Sequence, residues 1–298
     1  MRVLVLGGNG QVGRELRRAL APLGDVVATT RSGRLPDGSA CEAADFDAPD
    51  TLPALVERIA PDAVVNAAAY TAVDRAETDA QAAFRANAEA PEALARACAA
   101  RGIPFVHYST DYVFDGQGTR PYREDDPVAP LGVYGASKRA GEQAVAVAGG
   151  RQLIFRTAWV YGGHGHNFMR TMLRLGAERE RLRVVADQIG TPTPAALIAD
   201  VTAQVLARPV DVSGIWHLTA TGATSWHGFA EAIFADAHAR GLLARMPEVE
   251  PIATADYPTP ARRPAYSCLD TTRLRADFGV ALPDWRAALG GVLDAMRA

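Results

Sequence analysis

The stretch "VLVLGGNGQVGREL", residues 3–16, passes from an unbroken apolar run through three glycines into a helix-like segment. Gly7, Gly10 and Gly13 follow a G-x-x-G-x-x-G spacing, one residue wider at its start than the common dinucleotide-binding pattern. Gly7 permits a tight turn, Gly10 lets the backbone approach a pyrophosphate, and Gly13 allows close helix packing. An ordinary strand-to-helix turn can also carry such glycines, but the context favours a nucleotide site.

Outward from this stretch, apolar strand-like runs alternate with helix-like segments. The runs lie at 2–7, 25–30, 62–69, 104–110 and 152–162, and the helical segments at 11–24, 51–60, 80–102 and 137–149. This alternation predicts an α/β fold with a doubly wound, Rossmann-like parallel sheet.

The alternation becomes irregular beyond residue 162, where Gly and Pro interrupt it. We therefore expect residues 1–162 to form a dinucleotide-binding domain. Residues 163–298 are expected to form mainly a smaller, loop-rich substrate-binding region, with some elements returning to the first domain.

Composition narrows the class of protein. The 298 residues are 48% hydrophobic and 22% charged, with a net charge of -3, which gives no general attraction to nucleic acid or anionic lipid. Glycines break the first apolar run before a signal-peptide core or membrane span could form. Three widely spaced cysteines indicate neither a disulfide framework nor a zinc site, so a cytoplasmic protein is predicted.

The end of the second predicted strand suggests which dinucleotide binds. An acid that would grip the ribose hydroxyls of NAD is replaced there by Thr30, Arg31 and Ser32. An arginine with hydroxyl neighbours suits a 2′-phosphate, which favours NADPH over NADH as the hydride donor. A solvated loop arginine is the alternative.

Two further segments fit the same cofactor. Asp45 and Phe46 could border the adenine, and Ala67, Ala68 and Ala69 at a strand end would let a cofactor lie close to the backbone. Small residues suit a crowded core equally well.

The stretch "VYGASKRAGEQ", residues 133–143, places Tyr134 and Lys138 one helical turn apart on one face. A nearby ammonium would lower the phenol pKa from about 10 and make the pair a general acid and base. Ser109 and Thr110, at the preceding strand end, could donate a hydrogen bond to a substrate carbonyl.

In this order, the glycine loop, the Ser-Thr strand end and Tyr-x-x-x-Lys resemble the extended short-chain dehydrogenase/reductases that act on nucleotide sugars. The segments "VVNAAAYTAVDRAE", "HYSTDYVFDG", "IFRTAWVYG", "NFMRTMLRL" and "DQIGTPT" resemble the dTDP-4-dehydrorhamnose reductase family nearly end to end. The resemblance implies reduction of the C4 ketone of dTDP-6-deoxy-L-lyxo-4-hexulose to dTDP-L-rhamnose, with NADPH or NADH.

The resemblance also implies roles for individual residues. Tyr134 would donate the proton, Lys138 would position the nicotinamide ribose and lower the pKa of Tyr134, and Thr110 would tune that tyrosine and contact the substrate. Other positions would line the sugar pocket or cradle the pyrophosphate: Asp111, Tyr112 and Trp159 for the sugar, and Gly10, Gln11 and Val12 for the pyrophosphate.

One feature of the family is missing. Some members are dimers joined by Mg²⁺ bound to three glutamates, and Glu15 matches the first of these. Ala195 and Ala196 stand where the second acid would fall, and Asp294 matches the third only loosely. A hard cation needs several oxygen ligands, so the sequence argues against a bound Mg²⁺ and predicts a monomer or a Mg²⁺-independent homodimer.

Some residues keep two interpretations. His164 and His166 have near-metal spacing, but a loop that closes over the substrate is favoured because no further ligands follow. Arg262 and Arg263 could meet a substrate diphosphate or form a solvated edge.

Other functions remain open. They are a reductase, epimerase or dehydratase acting on another nucleotide sugar, and a non-catalytic regulatory relative. Retention of Thr110, Tyr134 and Lys138 favours a catalytic protein. Dehydratases resemble a Thr-Asp-Glu variation, whereas Tyr112 follows Asp111 here.

Overall fold

A computed structural model describes residues 1–297. Its strands are β1 Arg2–Leu6, β2 Asp25–Thr30, β3 Glu42–Ala43, β4 Ala63–Asn66, β5 Phe105–Thr110, β6 Gln152–Thr157, β7 Val160–Tyr161, β8 Arg181–Val185, β9 Ile189–Gly190, β10 Thr193–Pro194, β11 Gly214–His217, β12 Thr224–Ser225 and β13 Glu248–Ile252. Its α-helices are α1 Gln11–Leu20, α2 Leu52–Ile59, α3 Val73–Ala76, α4 Ala80–Phe84, α5 Ala90–Arg101, α6 Val133–Ala148, α7 Phe168–Glu178, α8 Ala195–Leu206, α9 Trp226–Ala239, α10 Thr272–Phe278 and α11 Trp285–Ala295.

Seven strands form one parallel sheet in the order β11-β6-β5-β4-β1-β2-β3. The central strand β1 is apolar because both its faces are covered, and Val3, Leu4, Val5 and Leu6 have no exposed surface. The chain reverses its direction of winding between β1 and β4, which is where ligands bind in folds of this kind. The doubly wound, Rossmann-like fold predicted from the sequence is confirmed.

Helices cover the two faces of the sheet. On one face α1 and α8 pack together through Leu16, Leu20 and Val205. On the other face α2, α5 and α6 contribute Leu55, Leu94 and other apolar side chains. A third apolar cluster lies in the C-terminal region, where Phe229 of α9 packs with α7 and α11. These apolar clusters fix the sheet and the helices of the C-terminal region.

The structure differs from the predicted elements in detail. The segment at 80–102 is not one regular helix, because a π-turn at Arg85–Glu89 separates α4 from α5. The last strand-like run divides at Trp159, whose φ of 48° lies in the left-handed region that side chains other than glycine rarely adopt. Helix α6 begins at Val133, four residues before the predicted start, so its first turn carries Tyr134.

Strand β11 comes from the C-terminal region and pairs with β6 of the first. The two regions therefore share one sheet, and the boundary at residue 162 stays a prediction. Within residues 1–297, no helix is both long and apolar enough to cross a membrane.

Candidate active site

The glycine loop between β1 and α1 adopts a tight turn against the end of β4. Gly7 has a φ of 77°, and a Cβ there would lie 2.8 Å from the Ala68 amide nitrogen. A Cβ on Gly13 would overlap the Gly7 carbonyl oxygen. Gly10 precedes the first turn of α1, where backbone N–H groups without helical partners favour an anion. The residues therefore fit the pyrophosphate of a dinucleotide.

A cavity of 790 Å³ lies at the carboxyl ends of β1, β2, β4 and β5, over this loop. It holds most of the residues predicted to bind the cofactor, among them Tyr134 and Lys138. Its walls include Gly7, Gly10, Gln11, Val12, Thr30, Arg31, Phe46, Ala67, Ala68 and Ala69 from the predicted cofactor set. Gly13, Ser32 and Asp45 of the predicted set do not line the cavity.

At one end of the cavity Arg31 is exposed and lies between two acids. Its guanidinium is 3.6 Å from the Asp45 carboxylate and 3.3 Å from that of Asp47. Thr30 Oγ1 is occupied by the backbone of Arg34, since it accepts from the amide at 3.1 Å and donates to the carbonyl at 3.0 Å. Of the predicted Thr-Arg-Ser group, Arg31 lines the cavity with an exposed guanidinium, and a ligand phosphate there would compete with the Asp45 and Asp47 carboxylates.

Lys138 lies at the other end, buried on α6. Its Nζ donates to the Tyr108 carbonyl oxygen at 2.5 Å and lies 3.5 Å from His107 Nε2. Burial lowers the pKa of Lys138 to about 8, and the nearby Glu142 carboxylate opposes this change. Lys138 is therefore held less firmly in its charged form than an exposed lysine.

The structure differs from the prediction that Lys138 lowers the pKa of Tyr134. Burial of the phenol raises that pKa above the ordinary value of tyrosine, the Thr110 hydroxyl opposes the rise, and Asp111 adds to it. Tyr134 is consequently protonated at neutral pH, as a proton donor must be.

Thr110 is oriented by its neighbours. Its Oγ1 donates to Asp111 Oδ1 at 2.9 Å and accepts from the Tyr112 amide at 3.1 Å. A threonine hydroxyl has a single hydrogen, and here it points at Asp111. The prediction that Thr110 donates to a substrate carbonyl therefore requires that hydrogen to turn away from Asp111.

The Asp111 carboxylate is buried, and in the described part of the chain only one of its two oxygens has a side-chain hydrogen-bond partner. Its Oδ2, like the Ser267 hydroxyl, lacks a hydrogen-bond partner of good geometry within residues 1–297. Burial raises the pKa of Asp111 to about 6, although Ser267 and Thr110 both favour the charged form.

The other predicted sugar-pocket residues flank Tyr134 or lie further out. The Tyr112 ring meets the Tyr134 ring edge-on with centroids 5.5 Å apart, and the Tyr112 hydroxyl accepts from Arg263 at 3.1 Å. Trp159 instead stacks on Trp226 with centroids 3.4 Å apart. Arg263 also pairs with Asp74 at 2.8 Å, whereas Arg262 is exposed. Arg263 is thus a fixed side chain beside Tyr112.

The loop at 162–167 lies over the start of α1. Asn167 Nδ2 donates to Gln11 Oε1 at 2.9 Å, and His164 Nδ1 is 3.6 Å from Glu15. His166 lines the cavity. This loop therefore borders the cavity next to the predicted pyrophosphate position.

The residues do not fit the magnesium site known in some family members. Glu15 pairs with Arg18 at 3.0 Å, Asp294 pairs with Arg240 at 2.8 Å, and Ala195 is fully buried. In the part of the chain that the structure describes, no three His, Cys, Asp or Glu residues form a metal-binding group.

Some residues of the site escaped sequence analysis. His107 and Asn66 lie behind Lys138, and Tyr70, Arg75 and Asp79 line the cavity. Asn66 ends β4 and Tyr70 follows it, so the meeting of the carboxyl ends of parallel strands at one edge was an available indication for these two. His107 lies within β5, and Arg75 and Asp79 lie in and after α3, where the sequence carried no such indication.

Comparison with known proteins agrees with this architecture. Residues 1–298 match the family model described as the RmlD substrate binding domain. The chain is 52% identical to a dTDP-4-dehydrorhamnose reductase of Burkholderia thailandensis, with 97% of each chain covered.

Solved structures give the same result. A dTDP-4-dehydrorhamnose reductase from Clostridium acetobutylicum superposes with a TM-score of 0.90 at 35% identity over 100% of both chains. One from Bacillus anthracis, in complex with NADP, gives 0.89 at 35% identity over 99% of both. The resemblance found in the sequence is confirmed, and the chain belongs to the dTDP-4-dehydrorhamnose reductase family.

Proposed function

We propose that this protein reduces the C4 ketone of dTDP-6-deoxy-L-lyxo-4-hexulose to the alcohol of dTDP-L-rhamnose, with NADPH as the preferred donor and NADH as a second one. One observation carries the proposal: in a chain 52% identical to a named reductase, Tyr134 and Lys138 lie one turn apart in the cavity that contains the glycine loop. A Bacillus anthracis relative solved with NADP supports the choice of cofactor.

The glycine loop and the first turn of α1 would hold the pyrophosphate. Gln11 and Val12 supply backbone N–H groups at a helix N-terminus, which attracts the two negative phosphates. Gly10, whose own N–H donates to the Gly7 carbonyl oxygen at 2.9 Å, lets the pyrophosphate come close to the backbone. Ala67, Ala68 and Ala69 present almost no side chain, so the dinucleotide can lie against the end of β4. The bound nicotinamide supplies the hydride.

Tyr134 delivers the proton. Because burial holds the phenol in its protonated form, Tyr134 can donate to the oxygen that gains charge as the ketone is reduced. Thr110 and Asp111 hold the neighbouring backbone turn. Lys138 presents its Nζ toward the cavity, where it would bind the ribose next to the nicotinamide.

The sugar nucleotide enters beside Tyr112. Tyr112 is fixed by Arg263, and Trp159 follows β6 and stacks on Trp226. We place the reaction in the cytoplasm, where the three cysteine thiols stay reduced. A monomer and a Mg²⁺-independent dimer are both compatible with the proposal.

A coupled assay tests the function. The purified protein is given the 4-keto-deoxysugar nucleotide, and the loss of NADPH absorbance and the product are followed together. A reductase consumes one NADPH per alcohol formed, whereas an epimerase changes the sugar without net NADPH loss. Absence of turnover by a folded protein that binds NADPH would refute the proposal and favour a regulatory relative.

Tyr134→Phe is the matched variant. It keeps the ring and its packing on Tyr112 but removes the proton donor, so we expect turnover to fall by about two or more decades with NADPH binding retained. Near-full turnover in the folded variant would exclude Tyr134 as the acid.

A further inference from the structure

A buried polar chain runs behind the cavity from the end of β4 through β5 to α6. It consists of Asn66, His107 and Lys138, each with 2% or less of its surface exposed. Asn66 Nδ2 is 3.1 Å from His107 Nδ1, and His107 Nε2 is 3.5 Å from Lys138 Nζ. The chain therefore connects Lys138 to a side chain that does not touch the cavity.

The orientation of the Asn66 amide follows from its other contact. Its Oδ1 accepts from the Ala68 backbone N–H at 3.1 Å. A backbone N–H only donates, so the atom facing it must be the amide oxygen, and the NH₂ group must face His107. That NH₂ group only donates as well. His107 Nδ1 therefore has to accept.

This contact fixes the hydrogen on the imidazole. A ring that accepts at Nδ1 carries its hydrogen on Nε2, and a second ring proton would break the bond to Asn66. Burial and the neighbouring Lys138 lower the pKa of His107 well below its usual value, in agreement with a neutral ring. His107 thus directs an N–H group at Lys138 Nζ.

Lys138 receives opposite influences at its two contacts. An ammonium has donors only, so the Tyr108 carbonyl at 2.5 Å favours the charged form and the His107 N–H opposes it. A neutral amine could instead accept from His107. Whether the ammonium or the neutral amine is favoured at Nζ therefore depends on which tautomer His107 adopts.

We propose that Asn66 and His107 form a positioning relay that sets whether Lys138 Nζ carries its third proton, by holding an imidazole N–H against it. The inference rests on the role of Lys138 in the proposed function. His107 acts through Lys138 and touches neither ligand. The relay keeps Lys138 able to release and regain a proton at neutral pH, instead of remaining a permanent cation.

Other charged and titratable groups pack around this part of α6 and act on the same equilibrium. Glu142 favours the ammonium, but it is held by Arg156 at 2.7 Å and by Arg139 at 2.9 Å. The remaining groups are Tyr134 on α6, Tyr108 on β5, Asp111 and Tyr112 after β5, and Glu77, which accepts from the Val133 amide. Substitutions confined to Asn66 and His107 leave all of these unchanged.

The sequence makes Lys138 directly observable, because it is the only lysine in the chain. Protein labelled with ¹³C at lysine Cε gives one side-chain signal, whose shift against pH reports the proton on Nζ. Protein labelled with ¹⁵N-histidine reports the tautomer of each ring. The His107 signals are identified by their loss in His107→Gln, or by backbone assignment if that variant does not fold.

We expect the wild-type His107 ring to carry its hydrogen on Nε2 and Lys138 to titrate near pH 8. The variant Asn66→Asp should reverse the tautomer of His107. Its carboxylate accepts from both Ala68 N–H and a hydrogen on Nδ1, which leaves Nε2 free to accept from the ammonium. The Lys138 midpoint should then rise by at least about one pH unit. The alkaline limb of kcat/KM should move with it.

The negative charge that Asn66→Asp introduces needs its own control, and a double-mutant cycle supplies it. A glutamine at position 107 could reproduce the switch by rotating its amide, so the background is His107→Leu, whose side chain neither donates nor accepts a hydrogen bond. In that background the shift caused by Asn66→Asp should shrink by at least half. An equal shift in both backgrounds would show that charge alone acts on Lys138, and it would overturn the relay. An Nδ1–H tautomer in the wild-type protein would overturn it without any variant.

Neither NMR measurement requires turnover. Failure of the reductase assay with the expected tautomer and titration would therefore refute the proposed function and leave the relay intact. The converse result would refute only the relay.

Discussion

Three titratable side chains of the site are pushed toward their neutral forms by burial. The pKa values of Asp111 and Tyr134 are raised, and that of Lys138 is lowered. Each shift means that holding the charged form in low-dielectric surroundings costs free energy. This cost lowers the free energy of unfolding, and the effect is clearest for Asp111.

Asp111→Asn should stabilise the protein at neutral pH. The folded pKa of Asp111 is about 6 against an ordinary value of 3.8, so the folded state binds the extra proton between these values. The contribution of Asp111 to the free energy of unfolding therefore falls as pH rises from about 4 to 6. Above pH 6 the ionised carboxylate destabilises the folded state by its full amount, about 3 kcal/mol. We expect the variant to gain up to that amount at pH 7, with most of the gain lost near pH 4, in urea unfolding followed at both pH values.

The control variant is Asp115→Asn, which removes a carboxylate four residues away from Asp111. The pKa of Asp115 is lowered by the Tyr122 hydroxyl, so its loss should destabilise the protein at pH 7 and have little effect at low pH. A pH-independent effect of Asp111→Asn would contradict the assignment of its cost to ionisation.

Arg31 tests cofactor choice. If it grips a 2′-phosphate, Arg31→Ala should raise the KM for NADPH about tenfold, as expected for loss of a charge-assisted contact, with little effect on NADH. Arg34→Ala removes an equal charge from the same loop outside the cavity and should change neither. Steady-state kinetics with both donors decide the matter, and equal effects on the two would assign Arg31 a structural role.

At the scale of elements, the helices and strands of the first region were predictable, but their ends were not. Hydrophobic periodicity located β1, β2, β4 and β5 because both faces of the sheet are covered. Helix α6 begins at Val133 because the Glu77 carboxylate accepts the Val133 N–H, a contact across 56 positions of the chain. The π-turn forms where Asn87 binds both backbone groups of Tyr70. Such contacts are not visible in local sequence.

The same limit applies to the site. The spacing of Tyr134 and Lys138 predicted that they share a helix face, and i and i+4 geometry is sufficient for that. The environment that sets their pKa values depends on β4 and β5, which only the folded sheet brings behind α6. The sequence therefore predicted which groups are present but not the direction in which burial shifts the pKa of Tyr134.

Gly141 tests how closely α6 packs on the π-turn. A Cβ there would overlap the Asn87 carbonyl oxygen, which is backbone and cannot swing away. We expect Gly141→Ala to lower the free energy of unfolding by about 1–3 kcal/mol, the usual cost of overpacking, and to reduce turnover as α6 shifts. Chemical denaturation and the reductase assay measure the two effects.

Gly291 in α11 offers a matched control, because a Cβ there meets nothing within 4 Å. Gly291→Ala should stabilise the protein by up to about 1 kcal/mol through helix propensity. Equal behaviour of the two variants would show that the close approach at Gly141 can relax without cost.

At the scale of the whole molecule, the fold class and family followed from sequence, and so did the expectation that some C-terminal elements return to the first region, but the sequence did not say which ones. The C-terminal loops at 162–167 and 259–267 return to the site of the first region, and β11 returns to its sheet. Gly and Pro interrupt periodicity there, so long-range pairing decided the structure.

Chelation tests the oligomer. Since Glu15 and Asp294 are held by arginines and Ala195 has no ligand atom, we expect activity to survive exhaustive EDTA treatment. Sedimentation velocity should show the same species before and after. Conversion of a dimer to a monomer on chelation, reversed by Mg²⁺, would contradict this expectation.

The pairing of β11 with β6 has a consequence for synthesis of the chain on the ribosome. Strand β6 is complete at Thr157, but its partner is complete only at His217, about 60 residues later. At about 5–20 residues per second, the apolar edge formed by Leu153, Ile154 and Phe155 waits roughly 3–12 s for its neighbour. An unpaired apolar edge is a template for pairing with other nascent chains. Slowing translation between residues 157 and 217 should therefore increase aggregation, and slowing it after residue 217 should not.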